Sequence, residues 1–270
     1  MMSTRTSARR AASTFSDSST VRVLARTGYA ASGLVHLLLG YLAIRVAFNQ
    51  QGETDQSGAL GEVAKLPGGV FVLWAAVVGL FALGLWLIVE AALGIGSSSK
   101  KRWVRSVASG GKAVAYIALG ITAMTFAQGG SSSSGESTQE ASAAILSLPG
   151  GPFLLGAVGA AAAGIGAYFI HKGVTRGFED DLDVPAGRAA KAVPVLGTVG
   201  YVAKGVAIIV VGILFAVAAV KVDPDDSTGL DGALKSLASL PFGMVILIAV
   251  GLGLIAYGVY TFVRARYARL

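Results

Sequence analysis

Six apolar runs, approximately 27–48, 70–95, 108–128, 152–171, 198–220 and 243–263, alternate with polar connections along the chain. Each run is near or above the ~20 residues that cross ~30 Å of hydrocarbon at ~1.5 Å rise per residue. The pattern predicts an all-α, polytopic membrane protein with six transmembrane helices. The fourth run, which starts at Pro152, is rich in Ala and Gly. Its smooth face suits close packing against a neighbouring helix.

A second pattern is laid over the first. Leu66-Pro67-Gly68-Gly69, Leu148-Pro149-Gly150-Gly151 and Leu240-Pro241-Phe242-Gly243 each precede an even-numbered run. A short segment of mixed polarity lies before each: Ser57–Leu66, Ser137–Leu148 and Thr228–Leu240. Ser137 with Glu140 reads as a capping box, and Thr228 with Asp231 as a looser version. Pro then stops the short helix and restarts the chain. These segments are expected to be short interfacial helices in the outer loops. The long runs also align. Gly28-Tyr29 matches Gly200-Tyr201, Gly40, Gly120 and Gly212 fall together, and so do Gly84, Gly166 and Gly258. The chain therefore reads as three parallel two-helix repeats, 22–96, 103–178 and 188–266, after a basic, disordered N-terminal tail over 1–21. The recurring glycines are expected to be packing notches.

Composition supports this reading. Of 270 residues 54% are hydrophobic and 14% charged, against about 25% charged in a typical soluble domain. The absence of cysteine excludes disulfides, thiol catalysis and cysteine-ligated metals. The formal net charge of +7 is unevenly placed. Sixteen Lys and Arg lie in the tail, the second and fourth connections and the C-terminus, and only Lys65 and Lys235 lie in the other three connections. By the positive-inside rule both termini and the even connections face the cytoplasm, which implies a multi-pass protein of the plasma membrane. The start of the chain lacks an apolar core with a cleavage site, so it does not read as a secretory signal. Its Arg- and Ser-rich character also resembles a transit peptide; the equally basic inner connections favour a cytoplasmic tail.

A few polar residues fall inside the apolar runs. Lys112 and Lys204 occupy equivalent positions near the cytoplasmic side, where they either snorkel or bind anionic lipid headgroups or another anion. Glu90 is the lone acid within a run, at the position held by Lys172 and Arg264 in the other repeats. It is expected to form a structural ion pair with Lys112 or Lys204. His36 lies near the midplane, with Tyr116 at its repeat-equivalent position; an interhelical hydrogen bond is the expected role of the histidine. Asp223, Asp225 and Asp226 lack the spacing of a calcium loop and read as a solvated turn. No nucleotide loop, zinc spacing or Ser-His-Asp set is present, so no metal, cofactor, nucleic acid or enzymatic activity is expected.

The stretch Ala203-Lys204-Gly205-Val206 before Gly212, with Lys112-Ala113-Val114 before Gly120, resembles the actinobacterial membrane family called domain of unknown function 1206. That family is similar in having three two-helix repeats with a basic residue before a Gly-Val pair. The resemblance covers about residues 22–266, and the first repeat departs from it by carrying Ser32 in place of the lysine. It implies the fold and no activity. The expected function is non-enzymatic, through the lipid bilayer or other membrane proteins. The alternative is a small channel or carrier whose path runs along the repeat axis.

Overall fold

The structure is a computed structural model that describes residues 19–48, 54–93, 102–183 and 187–268. Those residues form helices with no strand among them: α1 Ser19–Ala47, α2 Gln56–Lys65, α3 Gly69–Leu93, α4 Arg102–Ala127, α5 Ser134–Leu146, α6 Gly151–Val174, α7 Arg188–Lys221, α8 Gly229–Ala238 and α9 Gly243–Tyr267. The order is long, short, long, three times over, as the repeat predicts. Most of the tail over 1–21 lies outside the described residues.

The all-α expectation holds, and of the six expected membrane spans length and composition bear out three among the described residues. Among the described residues three helices are long and apolar enough to cross a membrane: Gly151–Val174, Lys191–Lys221 and Gly243–Tyr267. The described apolar parts of the other three, Ser32–Ala47, Gly69–Leu85 and Ala113–Ala127, are shorter.

Each short helix ends in the same turn. The amides of Gly69, Gly151 and Gly243 donate to the carbonyls of Leu66, Leu148 and Leu240 at 2.9, 2.8 and 2.7 Å. Proline at the second position and a left-handed residue at the third make this a type II turn. Gly68 (φ 79°) and Gly150 (φ 76°) supply the third position without strain, whereas repeat three places Phe242 there at φ 61°. The helix starts differ from the expected capping boxes. α5 begins at Ser134, three residues before Ser137, so Ser137 and Glu140 lie inside it. Thr228 precedes α8 but its side chain makes no capping bond. The working cap is Asp55, which accepts from the Gly58 amide at 3.1 Å.

The chain divides into two compact units, 53–134 and 1–52 with 135–270, which do not coincide with the repeats. In the smaller unit α3 packs on α4. In the larger, α6 packs on α7, α9 on α1, and α9 also on α7. Each even helix thus pairs with the odd helix of the following repeat, and the last even helix pairs with the first odd one.

Glycines set these pairings. Gly159 and Gly166 on α6 face Gly212 and Gly205 on α7, so the helices run antiparallel. A Cβ on Gly205 would stand 2.6 Å from the Gly166 carbonyl oxygen, and one on Gly212 would stand 2.6 Å from that of Gly159. Gly251 and Gly258 of α9 meet Gly40 and Gly33 of α1 in the same register. The α3–α4 seam is looser: Gly84 and Gly120 remain, but Val77 and Ala113 replace the other two glycines. Backbone contact of this kind maximises dispersion where lipid removes the hydrophobic drive for helix association. The opposite faces stay apolar and uncovered, with Phe153, Val220 and Phe71 more than four-fifths exposed.

Candidate functional site

The larger unit gathers its polar residues around a block of aromatic rings. Phe178, Tyr201, Tyr257 and Tyr260 are buried, with Phe169 packed beside them. Glycine again decides the placement. Gly200 lets α9 come so close to α7 that a Cβ there would lie 2.5 Å from the Tyr257 Cα. Tyr201, the next residue, meets Tyr257 edge-on at 5.1 Å between ring centroids.

Lys204 enters this block one residue before the seam glycine Gly205. Its Nζ lies 4.4 Å from the Tyr257 ring centroid and 5.0 Å from that of Phe169, and it donates to the Tyr257 hydroxyl at 3.4 Å. Among the described residues no carboxylate pairs with it. A lysine at the centre of a membrane helix costs ~2.5–3.5 kcal/mol, less near its end. A desolvated cation–π contact returns up to ~2 kcal/mol, so two rings can hold the charge without an acid. An ammonium has three donors, and only one long hydrogen bond is in place.

His36 reaches the same ring from α1. Its imidazole stands 4.6 Å from Tyr257, tilted by 54°. Its Nδ1–H donates to the Ser32 carbonyl at 2.7 Å, because a carbonyl can only accept, and this leaves Nε2 as the acceptor in the neutral ring. The hydrogen bond is therefore within α1, one turn back, rather than between helices as expected; the interhelical contact is the ring pair.

Two further cations approach the tyrosines. Arg264 Nη1 donates to the Tyr201 hydroxyl at 3.4 Å, and its guanidinium lies 4.7 Å from the Tyr29 ring. The Lys172 ammonium lies 5.8 Å from the Tyr201 ring. Lys172 with Tyr201 and Arg264 with Tyr29 are repeat-equivalent pairs across equivalent seams. The third seam departs on both sides, with Glu90 in place of the base and Ser109 in place of the tyrosine. After α6 the chain turns through Arg176 at φ 55° and tucks in Phe178. Phe178 stacks on Tyr201 at 5.3 Å and meets Tyr260 edge-on at 5.2 Å. The same loop is fastened to the end of α9 by the Asp183 amide, which donates to the Tyr267 carbonyl at 2.8 Å.

Of the residues singled out from sequence, Lys204 and His36 meet at Tyr257. Tyr116 is half-buried on α4 of the smaller unit. The side chains of Lys112 and Glu90 lie outside the described residues. Asp223 caps its own turn through the Asp225 amide at 3.0 Å, and Asp226 pairs with Lys221 at 3.1 Å. Among the described residues no three His, Cys, Asp or Glu are grouped to hold a metal ion. Tyr257, Phe169 and Phe178 were not foreseen. The recurrence of Tyr29 with Tyr201, and of Lys172 with Arg264, was the signal that could have found the seam pairs.

The all-helical described residues, with three long apolar helices and three internal repeats, are compatible with a membrane protein. The chain belongs to the family described as Domain of Unknown Function (DUF1206), which matches three times, at residues 27–94, 107–176 and 199–268. It is similar to the Bacillus subtilis (strain 168) protein named Uncharacterized protein YxxB, at 30% identity over 256 residues, covering 93% of this chain and 92% of that protein. No solved structure matches it.

Proposed function

We propose that this is a six-helix plasma-membrane protein, with both termini cytoplasmic, that acts without catalysis by binding anionic lipid headgroups at its inner side. The observation that carries the reading is Lys204: a lysine within an apolar helix, held by two aromatic rings and a phenol, with spare hydrogen-bond donors. Arg264 and the Tyr201 hydroxyl stand close by, and a guanidinium suits a phosphate oxygen pair. The positive-inside distribution supports placing this level on the cytoplasmic leaflet, where anionic lipids attract each nearby Lys or Arg by ~1 kcal/mol. Lys112, at the equivalent position in repeat two, supports a second such contact. Six spans are supported by α1, α3 and α4, which run 29, 25 and 26 residues; at ~1.5 Å per residue each exceeds ~30 Å.

The test is lipid retention. The protein in mild detergent is expected to keep phosphatidylglycerol in preference to phosphatidylcholine by native mass spectrometry, and Lys204→Gln is expected to lose most of that preference. Equal retention of both lipids by the wild type would sink the reading. The carrier alternative draws on the meeting of His36, Lys204 and Tyr257 from three different helices. It predicts Lys204-dependent anion flux in liposomes, and the headgroup reading predicts none.

A further inference from the structure

The outer turns of the three repeats are built alike, and one of them contains an expensive residue. In repeats one and two the left-handed third position of the turn is glycine, Gly68 and Gly150. In repeat three it is Phe242, at φ 61° and ψ 20°. A bulky side chain avoids this region because its Cβ crowds the following carbonyl. The ring does not offset that strain inside the chain, since Phe242 is 83% exposed.

The other two repeats show what the ring replaces. Four residues after their prolines they carry Phe71 and Phe153, 82% and 87% exposed. The same position in repeat three is Val245. Every repeat thus presents one bare phenylalanine at the outer start of its even helix, and repeat three does so by moving the ring into the turn itself. An exposed leucine also precedes the proline of each turn: Leu66, Leu148 and Leu240. On α6 and α9 the apolar surface continues down the helix through Leu154 and Val158, and through Met244, Val245 and Leu252. Strain retained at one position while the contact partner lies outside the chain points to an external apolar phase.

We propose that Phe242, like Phe71 and Phe153, is an anchor that inserts into the boundary between headgroups and acyl chains of the outer leaflet. This rests on the membrane-spanning reading above and is independent of the Lys204 site. A phospholipid boundary fits better than a protein partner because the feature recurs at the equivalent point of every repeat. It is also continuous with the uncovered apolar face of the helix below. Phenylalanine and leucine are side chains that interfacial segments bury at the headgroup–acyl boundary.

The absence of native cysteine gives a clean experiment. A nitroxide is attached to Phe242→Cys, and separately to Val158→Cys on the exposed face of α6, in the full-length protein in phosphatidylcholine nanodiscs. Accessibility to oxygen and to a water-soluble nickel chelate is then measured. The proposal expects oxygen to dominate at both sites, with the 242 label shallower than the 158 label. A 242 label open to the nickel chelate, with 158 still in lipid, overturns the anchor and leaves the spanning reading intact. A 242 label shielded from both reagents overturns it in favour of a protein contact. A 158 label in water overturns the spanning reading itself. As a check that the ring is not needed internally, Phe242→Gly should melt in detergent at or above the wild-type temperature; a lower midpoint would also overturn the proposal.

Discussion

Gly166 on α6 and Gly205 on α7 each stand where a Cβ would come within 2.6 Å of the other's carbonyl oxygen. This reciprocity means that neither position tolerates even a methyl group without moving a backbone. Gly164, two residues from Gly166 on the same helix, has nothing within 4 Å of its would-be Cβ. The two sites therefore separate packing from helix propensity. Gly166→Ala is expected to lower the thermal midpoint in detergent, by the ~1–3 kcal/mol typical of overpacking. Gly164→Ala is expected to leave it unchanged or raise it, since alanine favours the helix. Equal effects of the two substitutions would show that the seam is not tight.

Orientation can be checked with single cysteines at positions the structure leaves accessible. Ser57 and Ser227 look suitable in the sequence but are fully buried. Lys65, Ser147, Ser239 and Glu179 are exposed. On intact cells an impermeant thiol reagent is expected to label cysteines at 65, 147 and 239 and to spare one at 179. The opposite pattern would invert the topology.

The α3–α4 seam predicts an ion pair of its own. The antiparallel register that sets Gly84 against Ala113 sets Glu90 opposite Val107. That is ~7.5 Å along the helix from Lys112 at ~1.5 Å per residue, a span two long side chains can bridge. We expect Glu90→Gln to lower stability by up to about 3 kcal/mol, the scale of an uncompensated charge in a membrane helix. Adding Lys112→Gln should restore part of the loss. Additive losses in the double variant, measured by thermal melting, would rule the pair out. Glu140→Gln, at an exposed position on α5, serves as the control and should change little.

The sequence by itself determined the periodic features of this protein. Apolar run length, proline after each short segment, and glycine at fixed offsets are local properties. They announced three long–short–long repeats and the breaks at Pro67, Pro149 and Pro241. Lys204 was also legible, because a charge in an apolar run is conspicuous wherever the helix packs. Helix starts were less so: α5 begins before Ser137 because three further residues join its first turn, ahead of the capping pattern. Only the tertiary structure decided which helices touch. A repeat of two helices suggests that its own pair should pack together, yet the glycine seams join each even helix to the next repeat's odd helix. Backbone complementarity depends on both surfaces at once, so neither sequence segment shows it alone. The same holds for the site. His36, Lys204 and Tyr257 lie far apart in the chain, and a shared ring between them is a consequence of how closely Gly200 lets α9 approach α7.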